Sequence, residues 1–449
     1  RYACIVSGTR HAAGRTGMGA VMGSKRLKAI AVRGKRPRWP MDETAHNLVR
    51  DYIDRIRSAP RFETYARYSN TPFVTWADEY GLLATRNYQD VHFDGAAQID
   101  GKRLIEYVTR SRTCHRCPLH CKAEIEVRAG PYAGTRGERP DIEPIINLGS
   151  KCGVDDPEAV LYLYNLCATL GLDVISLGSA LSFAMELAQR GILSAEETDG
   201  LALEWGNAEA MIAMVEKIIA REGFGDILAD GVKVAAEKIG KEAAQFAMHV
   251  GGQEPGLHNA LFLPSRGTGF VCDPTPGRHT AAPMAAIDGG ARQFAPYPEL
   301  KIEKFEKYTY TGKCPTSATA SSYLQVGSSA GVCIMPMMFF GNYPLVDFFN
   351  AVTGWDLDVK EVLSTGARIQ TLRHCFNLRE GIVPADVKLP KRMLGQPPQE
   401  EGPVAGVTLD VDSLAREYRQ AMGWDPESGE PGKTTLEKLG LRDLVEAFG

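Results

Sequence analysis

The sequence predicts an α+β protein that is mainly helical and has a small β portion at its N-terminus. Short apolar runs at residues 3–6 and 29–32 suit strands. From Asp156 to about residue 423, capped segments follow with apolar residues at helical spacing. The 449 residues are 44% hydrophobic and 24% charged, which is ordinary globular composition and argues against a largely disordered chain.

Charge and hydropathy exclude two classes of protein. The chain has 51 Lys and Arg against 55 Asp and Glu and no sustained basic block, so nucleic acid is not an expected partner. Its longest apolar stretches, such as 334–340, fall far short of the ~20 residues that a membrane helix needs. The chain begins at Arg1, inside sequence that reads as structured, and we expect that an N-terminal portion is missing.

The elements follow in order along the chain. The first strands precede a break at Pro37, Trp39 and Pro40, and residues 41–108 read as helical with interruptions. Asp156 and Asp173 are expected to cap two successive helices. Residues 248–280 are rich in Gly and Pro and read as irregular. Further helices are expected at 195–205, 207–222, 226–239, 297–310, 317–329, 344–352, 359–375 and 410–423.

Three of the ten cysteines lie close together, since Cys114, Cys117 and Cys121 form a C-x2-C-x3-C run. Ten cysteines are too few for a disulfide scaffold of this length. Thiolates so closely spaced can converge on one metal centre, as iron–sulfur clusters and zinc both require. A zinc knuckle with His115 or His120 as a further ligand is the alternative. Because no second pair at zinc-site spacing follows nearby, the run favours a [4Fe–4S] cluster, whose fourth ligand must come from far away in sequence.

A glycine-rich, basic loop occupies residues 12–28. Its glycines let backbone N–H groups approach a ligand, and Arg15 and Lys25 add positive charge, a combination that suits phosphate. The loop is not a P-loop, because Ser24 and Lys25 stand in the wrong order, and it contains no G-x-G-x-x-G. Taken alone, such a loop is as often an ordinary surface turn.

Acidic and histidine side chains follow in two further loops. Glu138, Asp141 and Glu143 come soon after the cysteine run, where a carboxylate can serve as a general base, although a solvated loop is the simpler interpretation. His279 lies in the Pro-rich turn of residues 273–280, and His258 follows a Gly-rich turn. A histidine on such a turn is either a general acid or an ordinary surface residue.

Taken together, these motifs resemble the tungsten-containing aldehyde ferredoxin oxidoreductase family. The run Ala-Ala-Gly-Arg-x-Gly-x-Gly-Ala-Val-Met-Gly-Ser-Lys at residues 12–25, the cysteine run and the Gly-Ser-Lys-Cys-Gly segment at 149–153 carry the resemblance. It continues through 170–176, 273–280, 331–333, 376–381 and 389–392, and so covers essentially the whole chain. The family implies that the end of an N-terminal β domain (1–40) precedes two helical domains (41–247 and 248–449).

The resemblance also implies the cofactors and the residues that hold them. One tungsten atom is held by two pyranopterins as a tungsten-bis-pyranopterin centre, with molybdenum as the alternative metal, beside a [4Fe–4S] cluster. The cluster is assigned to the three clustered cysteines and the distant Cys333, and Glu143 and His279 are placed beside the tungsten. Pterin contacts are assigned to Ala12, Gly14, Arg15, Leu172, Asp173, Val332 and Ile334.

Three positions depart from the family's pattern. The family's pterin motif reads Asp-x-x-Gly-Leu-Asp, but here Ala168 stands at its first position. The second copy of the motif begins with Ser328 instead of Asp, and His11 replaces an Arg that usually precedes Ala-Ala-Gly-Arg. Each lost aspartate removes a charged hydrogen-bond acceptor worth about 1.5–3 kcal/mol where buried, so a divergent branch of the family is expected.

The activity implied by the resemblance is oxidation of an aldehyde to a carboxylic acid. Electrons would pass through the cluster to ferredoxin or a ferredoxin-like iron–sulfur subunit, in a reducing cytoplasm, and a homodimer is a further expectation. One alternative is the tungsten subunit of a class II benzoyl-CoA reductase. Cys152 is a candidate thiolate on the metal in that case, although a buried structural cysteine is the simpler interpretation. Another is a non-catalytic electron-transfer subunit that keeps the cluster and has lost its pterins.

Overall fold

The computed structural model describes residues 1–8, 11–34, 42–280, 287–288, 295–340 and 343–448. The expected break at Pro37, Trp39 and Pro40 lies outside the described residues. Within them the chain is mainly helical, which confirms the predicted fold class. None of the helices in these ranges is both long and apolar enough to cross a bilayer.

Loops, strands and several short 3-10 turns separate the helices of the described ranges. In chain order they are α1 (Met18–Ser24), α2 (Glu43–Ser58), α3 (Phe62–Tyr68), α4 (Phe73–Glu79), α5 (Ala96–Ile99), α6 (Gly101–Leu104), α7 (Ile142–Leu148), α8 (Pro157–Leu170), α9 (Val174–Gln189), α10 (Ala208–Ala220), α11 (Gly223–Leu228), α12 (Val232–Ile239), α13 (Pro264–Cys272), α14 (Cys314–Ser329), α15 (Ile334–Phe339), α16 (Leu345–Thr353), α17 (Val359–Arg379), α18 (Val411–Ala421), α19 (Lys433–Lys438) and α20 (Val445–Phe448).

Two small antiparallel sheets accompany the helices. Strands β1 (Ile5–Ser7) and β2 (His11–Ala13) form a ribbon near the N-terminus. Strands β3 (Val108–Arg112), β4 (Lys122–Glu126) and β5 (Arg136–Glu138) form a three-stranded sheet in the order β3-β4-β5, and the cysteine run connects β3 to β4. The sequence analysis missed this second sheet, because charged residues occupy most positions that alternate with buried Ala123 and Ile125.

The chain divides into two compact units. The first comprises Arg1–Val32, Glu63–Phe262 and Pro390–Thr408, and the second comprises Arg33–Phe62, Leu263–Leu389 and Leu409–Gly449. The domain boundaries expected at residues 40 and 247 stay a prediction.

The core of the first unit is built around α9. This helix is buried from Ile175 to Leu187 and packs against α7. The two helices approach closely because residue 178 is glycine: a Cβ there would lie 2.2 Å from the carbonyl oxygen of Asn147. The packing fixes the position of α7, which carries Glu143.

The core of the second unit is built around α14. This helix packs against α17 and α18, and α13 packs against α18. Helix α13 is buried along its whole length, although residues 248–280 were expected to be irregular. Two glycines in α13 lowered its helical signal, whereas burial of all nine residues stabilises the helix through packing.

Three further expectations were wrong. Residues 29–32 form no strand within the described chain, and Val32 is 90% exposed. Residues 195–205 form turns, because Asp199 and Gly200 both have positive φ. Residues 297–310 contain only the 3-10 turn Pro298–Leu300, and the buried Leu300 and Ile302 alternate along an extended segment instead of following helical spacing.

Candidate active site

The first unit contains a cavity of about 220 Å³. Its walls come from the N-terminal loop, from α7 and from the turn between α8 and α9. Five of the seven residues expected to contact pterin line this cavity together with Glu143. The full lining is Cys4, Val6, Ala12, Gly14, Arg15, Glu143, Tyr164, Ala168, Leu172, Asp173, Val174 and Ile175.

Backbone hydrogen bonds hold the N-terminal segment against the turn between α8 and α9. The amide of Cys4 donates to the carbonyl of Gly171 at 2.7 Å, and the amide of Asp173 donates to the carbonyl of Tyr2 at 3.0 Å. Ala3 and Leu172 form an antiparallel bridge between them. This pairing brings the glycine-rich loop and the first pterin motif to the same cavity.

Arg15 and Asp173 meet at the cavity wall. Arg15 Nη1 lies 3.1 Å from Asp173 Oδ2, and Arg15 Nη2 donates to the backbone carbonyl of Glu254. Asp173 Oδ1 accepts from the amide of Ile175, which confirms the predicted cap of α9. Ser176 Oγ lies 2.9 Å from Asp173 Oδ2 and 2.7 Å from Glu254 Oε2. These contacts fix the side chains of Arg15 and Asp173.

The turn between α8 and α9 has the geometry that its Gly-Leu-Asp sequence requires. Gly171 adopts φ 71°, in the left-handed region that glycine tolerates, and ends α8. The amide of Leu172 then bonds back to the carbonyl of Cys167 at 3.0 Å. Asp173 follows as the N-cap of the next helix, and Ala168 faces the cavity from the last turn of α8.

The second unit contains a turn of the same geometry. Gly331 has φ 74°, and the amide of Val332 bonds back to the carbonyl of Gly327 at 2.9 Å. Cys333 is the exposed N-cap of α15, and Ile334 is its first residue. The two copies of the motif noted in the sequence are therefore also local structural copies, with Cys333 at the position of Asp173.

Glu143 lies in the first turn of α7, and its carboxylate accepts hydrogen bonds from two elements. The amide of Leu257 lies 3.3 Å from Oε1 and 3.1 Å from Oε2, and Asn147 Nδ2 donates to Oε2 at 3.0 Å. The simpler interpretation of this acidic segment as a solvated loop was wrong. The cause is local: Lys122 Nζ lies 3.1 Å from Glu138 Oε1 and 2.8 Å from Asp141 Oδ2, which fixes the segment that leads into α7.

A series of hydrogen-bonded polar side chains leads from Glu143 into the core of the first unit. Lys151 is fully buried, and its Nζ lies 3.2 Å from Asn147 Oδ1 and 2.6 Å from Ser179 Oγ. The ammonium also lies 4.7 Å from the ring centroid of Tyr88. Burial lowers the pKa of Lys151 to about 8, although Cys152 and Glu143 raise it. The sequence analysis missed this residue, whose one signal is its spacing of four from Asn147 and eight from Glu143.

Cys152 adjoins this series of side chains and is buried. Its thiol donates to the backbone carbonyls of Asn147 at 3.4 Å and Gly178 at 3.6 Å. Burial raises the pKa of the thiol to about 12. These properties describe a structural cysteine rather than a thiolate ready to bind a metal.

The cysteine run forms a turn at the end of β3. The amide of Cys117 donates to the carbonyl of Cys114 at 3.0 Å, and Arg139 Nη2 donates to the carbonyl of Cys121 at 2.8 Å. Cys114 is exposed, and the other two cysteines are half-buried. Among the residues that the structure describes, no three Cys, His, Asp or Glu side chains are already gathered closely enough to hold a metal ion. Cys333 belongs to the second unit.

His279 also belongs to the second unit, in the turn that follows α13. Its backbone carbonyl accepts a hydrogen bond from Arg266. The start of the turn is fixed by Asp273, whose Oδ1 accepts from the amide of Thr275 at 2.7 Å and lies 3.5 Å from Arg373 Nη2. The partly buried His279 is thus held on a structured turn.

Comparison with known proteins gives a family for the whole chain. Residues 47–441 match the family model of aldehyde ferredoxin oxidoreductase, domains 2 and 3, and residues 1–34 match that of the N-terminal domain. The tungsten-containing aldehyde ferredoxin oxidoreductase of Pyrococcus furiosus is 32% identical over 99% of this chain and 72% of its own length. The enzyme of the same name from Thermococcus kodakarensis is also 32% identical, over the same shares.

Two further likenesses are more distant. A protein of Pyrococcus furiosus named aliphatic sulfonate oxidoreductase, WOR-like subunit, is 29% identical over 98% of this chain and 68% of its own length. Among solved structures, the active-site complex BamBC of benzoyl coenzyme A reductase with 1,5-dienoyl-CoA matches at a TM-score of 0.76 and 23% identity, over 100% of this chain and 72% of that one. That match shows the fold. The sequence matches confirm the family resemblance, and this chain belongs to the aldehyde ferredoxin oxidoreductase family of oxidoreductase enzymes.

Proposed function

We propose that this protein oxidises an aldehyde to a carboxylic acid at a tungsten-bis-pyranopterin centre and passes the electrons through a [4Fe–4S] cluster to ferredoxin or a ferredoxin-like subunit. Family membership implies the tungsten–pterin cofactor in general terms. The observation that carries the proposal is the cavity of the first unit, where five of the seven expected pterin residues and Glu143 line one space.

The residues around the cavity fit a pterin. The guanidinium of Arg15 has five N–H donors in a planar fork, and its side chain is 24% exposed at the wall. Asp173 and the backbone carbonyl of Glu254 hold the fork in place, so it is preorganised to donate to a phosphate or a ring carbonyl. At about 220 Å³ the cavity is smaller than the roughly 300–1,000 Å³ of a typical small-molecule site, so it suits one edge of a large cofactor.

The cluster is proposed to bind Cys114, Cys117, Cys121 and Cys333. The turn of the cysteine run places three thiols within eight residues, and two of them are only half-buried. Cys333 is exposed at the start of α15, where the N-terminal amides of the helix favour an anionic thiolate. Four thiolates are the usual ligands of a [4Fe–4S] cluster.

Glu143 and His279 are proposed as the catalytic residues. Glu143 takes the proton from the water that adds to the aldehyde carbon, because its carboxylate is held at a fixed place by Leu257 and Asn147. His279 donates a hydrogen bond to the carbonyl oxygen of the substrate. When bound, the tungsten–pterin group supplies the two-electron oxidation, and the protein supplies binding, orientation and proton transfer.

Two parts of the proposal concern the cellular compartment and the electron acceptor of the enzyme. None of the ten cysteines, all of which lie in the described residues, forms a disulfide bond, which fits a reducing cytoplasm. The acceptor is proposed to be a ferredoxin because the names of the Pyrococcus furiosus and Thermococcus kodakarensis relatives include ferredoxin. A homodimer stays a prediction.

The benzoyl-CoA reductase alternative rests on a likeness of fold. A protein thiolate on the metal would favour it, but Cys152 is buried, donates to two backbone carbonyls and has a raised pKa. The alternative of an electron-transfer subunit without pterins does not explain why Arg15, Asp173 and Glu143 line one cavity. Aldehyde oxidation is therefore the better proposal.

The test is elemental analysis of the anaerobically purified full-length protein, followed by aldehyde-dependent reduction of a viologen dye. We expect about four iron atoms and one tungsten atom per chain, and turnover with aldehydes that is lost in protein from cells grown without tungstate or molybdate. Iron without tungsten or molybdenum would instead support an electron-transfer subunit. A tungsten-loaded protein that oxidises no aldehyde across an aliphatic and aromatic series would overturn the substrate assignment.

A further inference from the structure

Lys151 carries a buried charge whose place is not explained by packing alone. It lies in the 3-10 turn that follows α7 and is 0% exposed. The hydrogen bonds of its ammonium go to two neutral oxygens, Asn147 Oδ1 and Ser179 Oγ. Burying a cation reduces the free energy of unfolding, and an apolar side chain of similar volume would avoid that destabilisation. The geometry of its contacts indicates what the charge does.

The contacts of Lys151 determine which way the amide of Asn147 faces. An ammonium has three donors and no acceptor, so the atom of Asn147 that faces it must be the oxygen. The amide nitrogen then faces the opposite way, toward Glu143, where it donates to the backbone carbonyl at 2.9 Å and to Oε2 at 3.0 Å, so both ends of the amide favour the same orientation. A carboxylate accepts hydrogen bonds only, so the reversed amide would set two oxygens against each other at Glu143.

The backbone positions these side chains so that they contact one another. Glu143 and Asn147 are four residues apart and lie on one side of α7. Lys151 follows in the 3-10 turn after the non-helical Gly149, and its Nζ lies 3.2 Å from Asn147 Oδ1. The close approach of Gly178 to Asn147 fixes α9 against that side, and Ser179 supplies the second acceptor for the ammonium. The hydrogen bonds therefore run in one direction, from the ammonium of Lys151 through the amide of Asn147 to the carboxylate of Glu143 in the cavity.

We infer that Lys151 is a positioning residue for Glu143: its ammonium orients the amide of Asn147, and the amide holds the carboxylate in the cavity. The inference deepens the proposed function, on which its kinetic part rests. Leu257 supplies the other hydrogen bond to the carboxylate, and the backbone carbonyl of Glu143 also accepts from Asn147 Nδ2 at 2.9 Å. Loss of Lys151 therefore leaves Glu143 in the cavity but removes the contact that holds the oxygen end of the Asn147 amide. The expected consequence is a loss in the chemical step rather than in substrate binding.

The test compares Lys151→Met, Asn147→Leu and the double variant as tungsten-loaded enzymes. Each single variant is expected to lower kcat at least tenfold while KM stays within threefold of wild type. The double variant is expected to fall no further than the worse single variant, because both residues act through one series of hydrogen bonds. Ser182→Ala is the control, since Ser182 is buried one turn further along α9 and its hydroxyl contacts the carbonyl of Ser179 rather than Lys151.

A second measurement does not depend on turnover. A crystal structure of Lys151→Met is expected to show the contact between Asn147 Nδ2 and Glu143 Oε2 lost or the carboxylate in more than one position. An unchanged carboxylate would overturn the inference, as would wild-type kcat in a fully loaded Lys151→Met enzyme. If that variant does not fold, kcat and the position of the carboxylate are measured in Lys151→Gln and in Asn147→Leu. The Gln amide offers both a donor and an acceptor, so it no longer requires the oxygen of Asn147 to face it. An inactive but tungsten-loaded wild type with the predicted crystallographic change would contradict the proposed function and leave the positioning role standing.

Discussion

Arg15 and Asp173 form an ion pair across 158 positions of sequence, with 3.1 Å between Nη1 and Oδ2. The aspartate also caps α9 through the amide of Ile175, and its side chain is only 6% exposed. One contact therefore closes the glycine-rich loop, fixes the start of a core helix and holds a guanidinium at the cavity wall. The local stability of the first unit and the proposed pterin grip depend on the same pair.

Replacing Arg15 by Met tests this double role. The variant leaves the buried carboxylate of Asp173 without its cation, so the free energy of unfolding is expected to fall by about 2–4 kcal/mol. Tungsten content is expected to fall at least fivefold, because the variant also loses the guanidinium donors to the pterin. Iron content serves as the internal control. Chemical denaturation and elemental analysis measure the two effects, and full tungsten loading in the variant would contradict the pterin role.

Replacing Glu143 by Gln or His279 by Ala tests the proposed catalysis. Both variants are expected to keep their tungsten, because neither side chain is proposed to bind the cofactor. The rate of aldehyde oxidation is expected to fall about 10²–10⁴-fold, the usual contribution of a positioned acid or base. Steady-state kinetics at full loading measures the loss. Wild-type rates in both variants would mean that the chemistry takes place elsewhere.

Replacing Cys333 by Ala tests the cluster assignment. We expect loss of the cluster, seen as a fall in iron content and in visible absorption, because a [4Fe–4S] cluster relies on four thiolates. Cys375→Ala is the matched control, since Cys375 is buried in α17 and is not proposed as a ligand. Unchanged iron and absorption in Cys333→Ala would refute the assignment.

A pH-dependent contribution to stability is expected from His374. The ring stacks on Trp424 at 4.1 Å between centroids, and burial lowers its pKa to about 4 from 6.5. Between these values the unfolded chain binds more protons than the folded one, so this contribution to the free energy of unfolding grows as pH rises from 4 to 6.5, by on the order of 2–3 kcal/mol. His374→Phe keeps the stack and should lose that slope when denaturation is measured across this range. An identical slope in both proteins would contradict the prediction.

The sequence predicted the parts of the molecule whose signals are local. Asp156 and Asp173 cap α8 and α9 as expected, because an N-cap depends only on the residues of one turn. The family motifs likewise named Ala12, Gly14, Arg15, Leu172 and Asp173, which line one cavity. Motifs carry this information because each is a short segment with one preferred geometry.

The parts that the sequence did not predict depend on tertiary contacts. Helix α13 contains two glycines and is stabilised by complete burial, which no local pattern reveals. Strand β4 pairs with β3 across the cysteine run, and its charged residues hide the alternation. Lys151 reads as an ordinary cation until the contact between α7 and α9 shows that it is buried against Asn147 and Ser179.

Restoring the family's aspartate at position 168 tests how the cavity holds its cofactor. Ala168 faces the cavity from the last turn of α8, so Ala168→Asp places a carboxylate there as an acceptor for pterin N–H groups. A hydrogen bond to a charged acceptor is worth about 1.5–3 kcal/mol, which corresponds to roughly 10–150-fold slower loss of tungsten on dialysis. The new carboxylate lies in the same cavity as the carboxylates of Glu143 and Asp173, and the like charges repel one another. The cofactor-free variant is therefore expected to have a lower free energy of unfolding than wild type. Ala168→Asn is the matched control, because it offers an acceptor of similar size without charge and should slow the loss less. Equal rates of tungsten loss in all three proteins would mean that position 168 does not contact the cofactor.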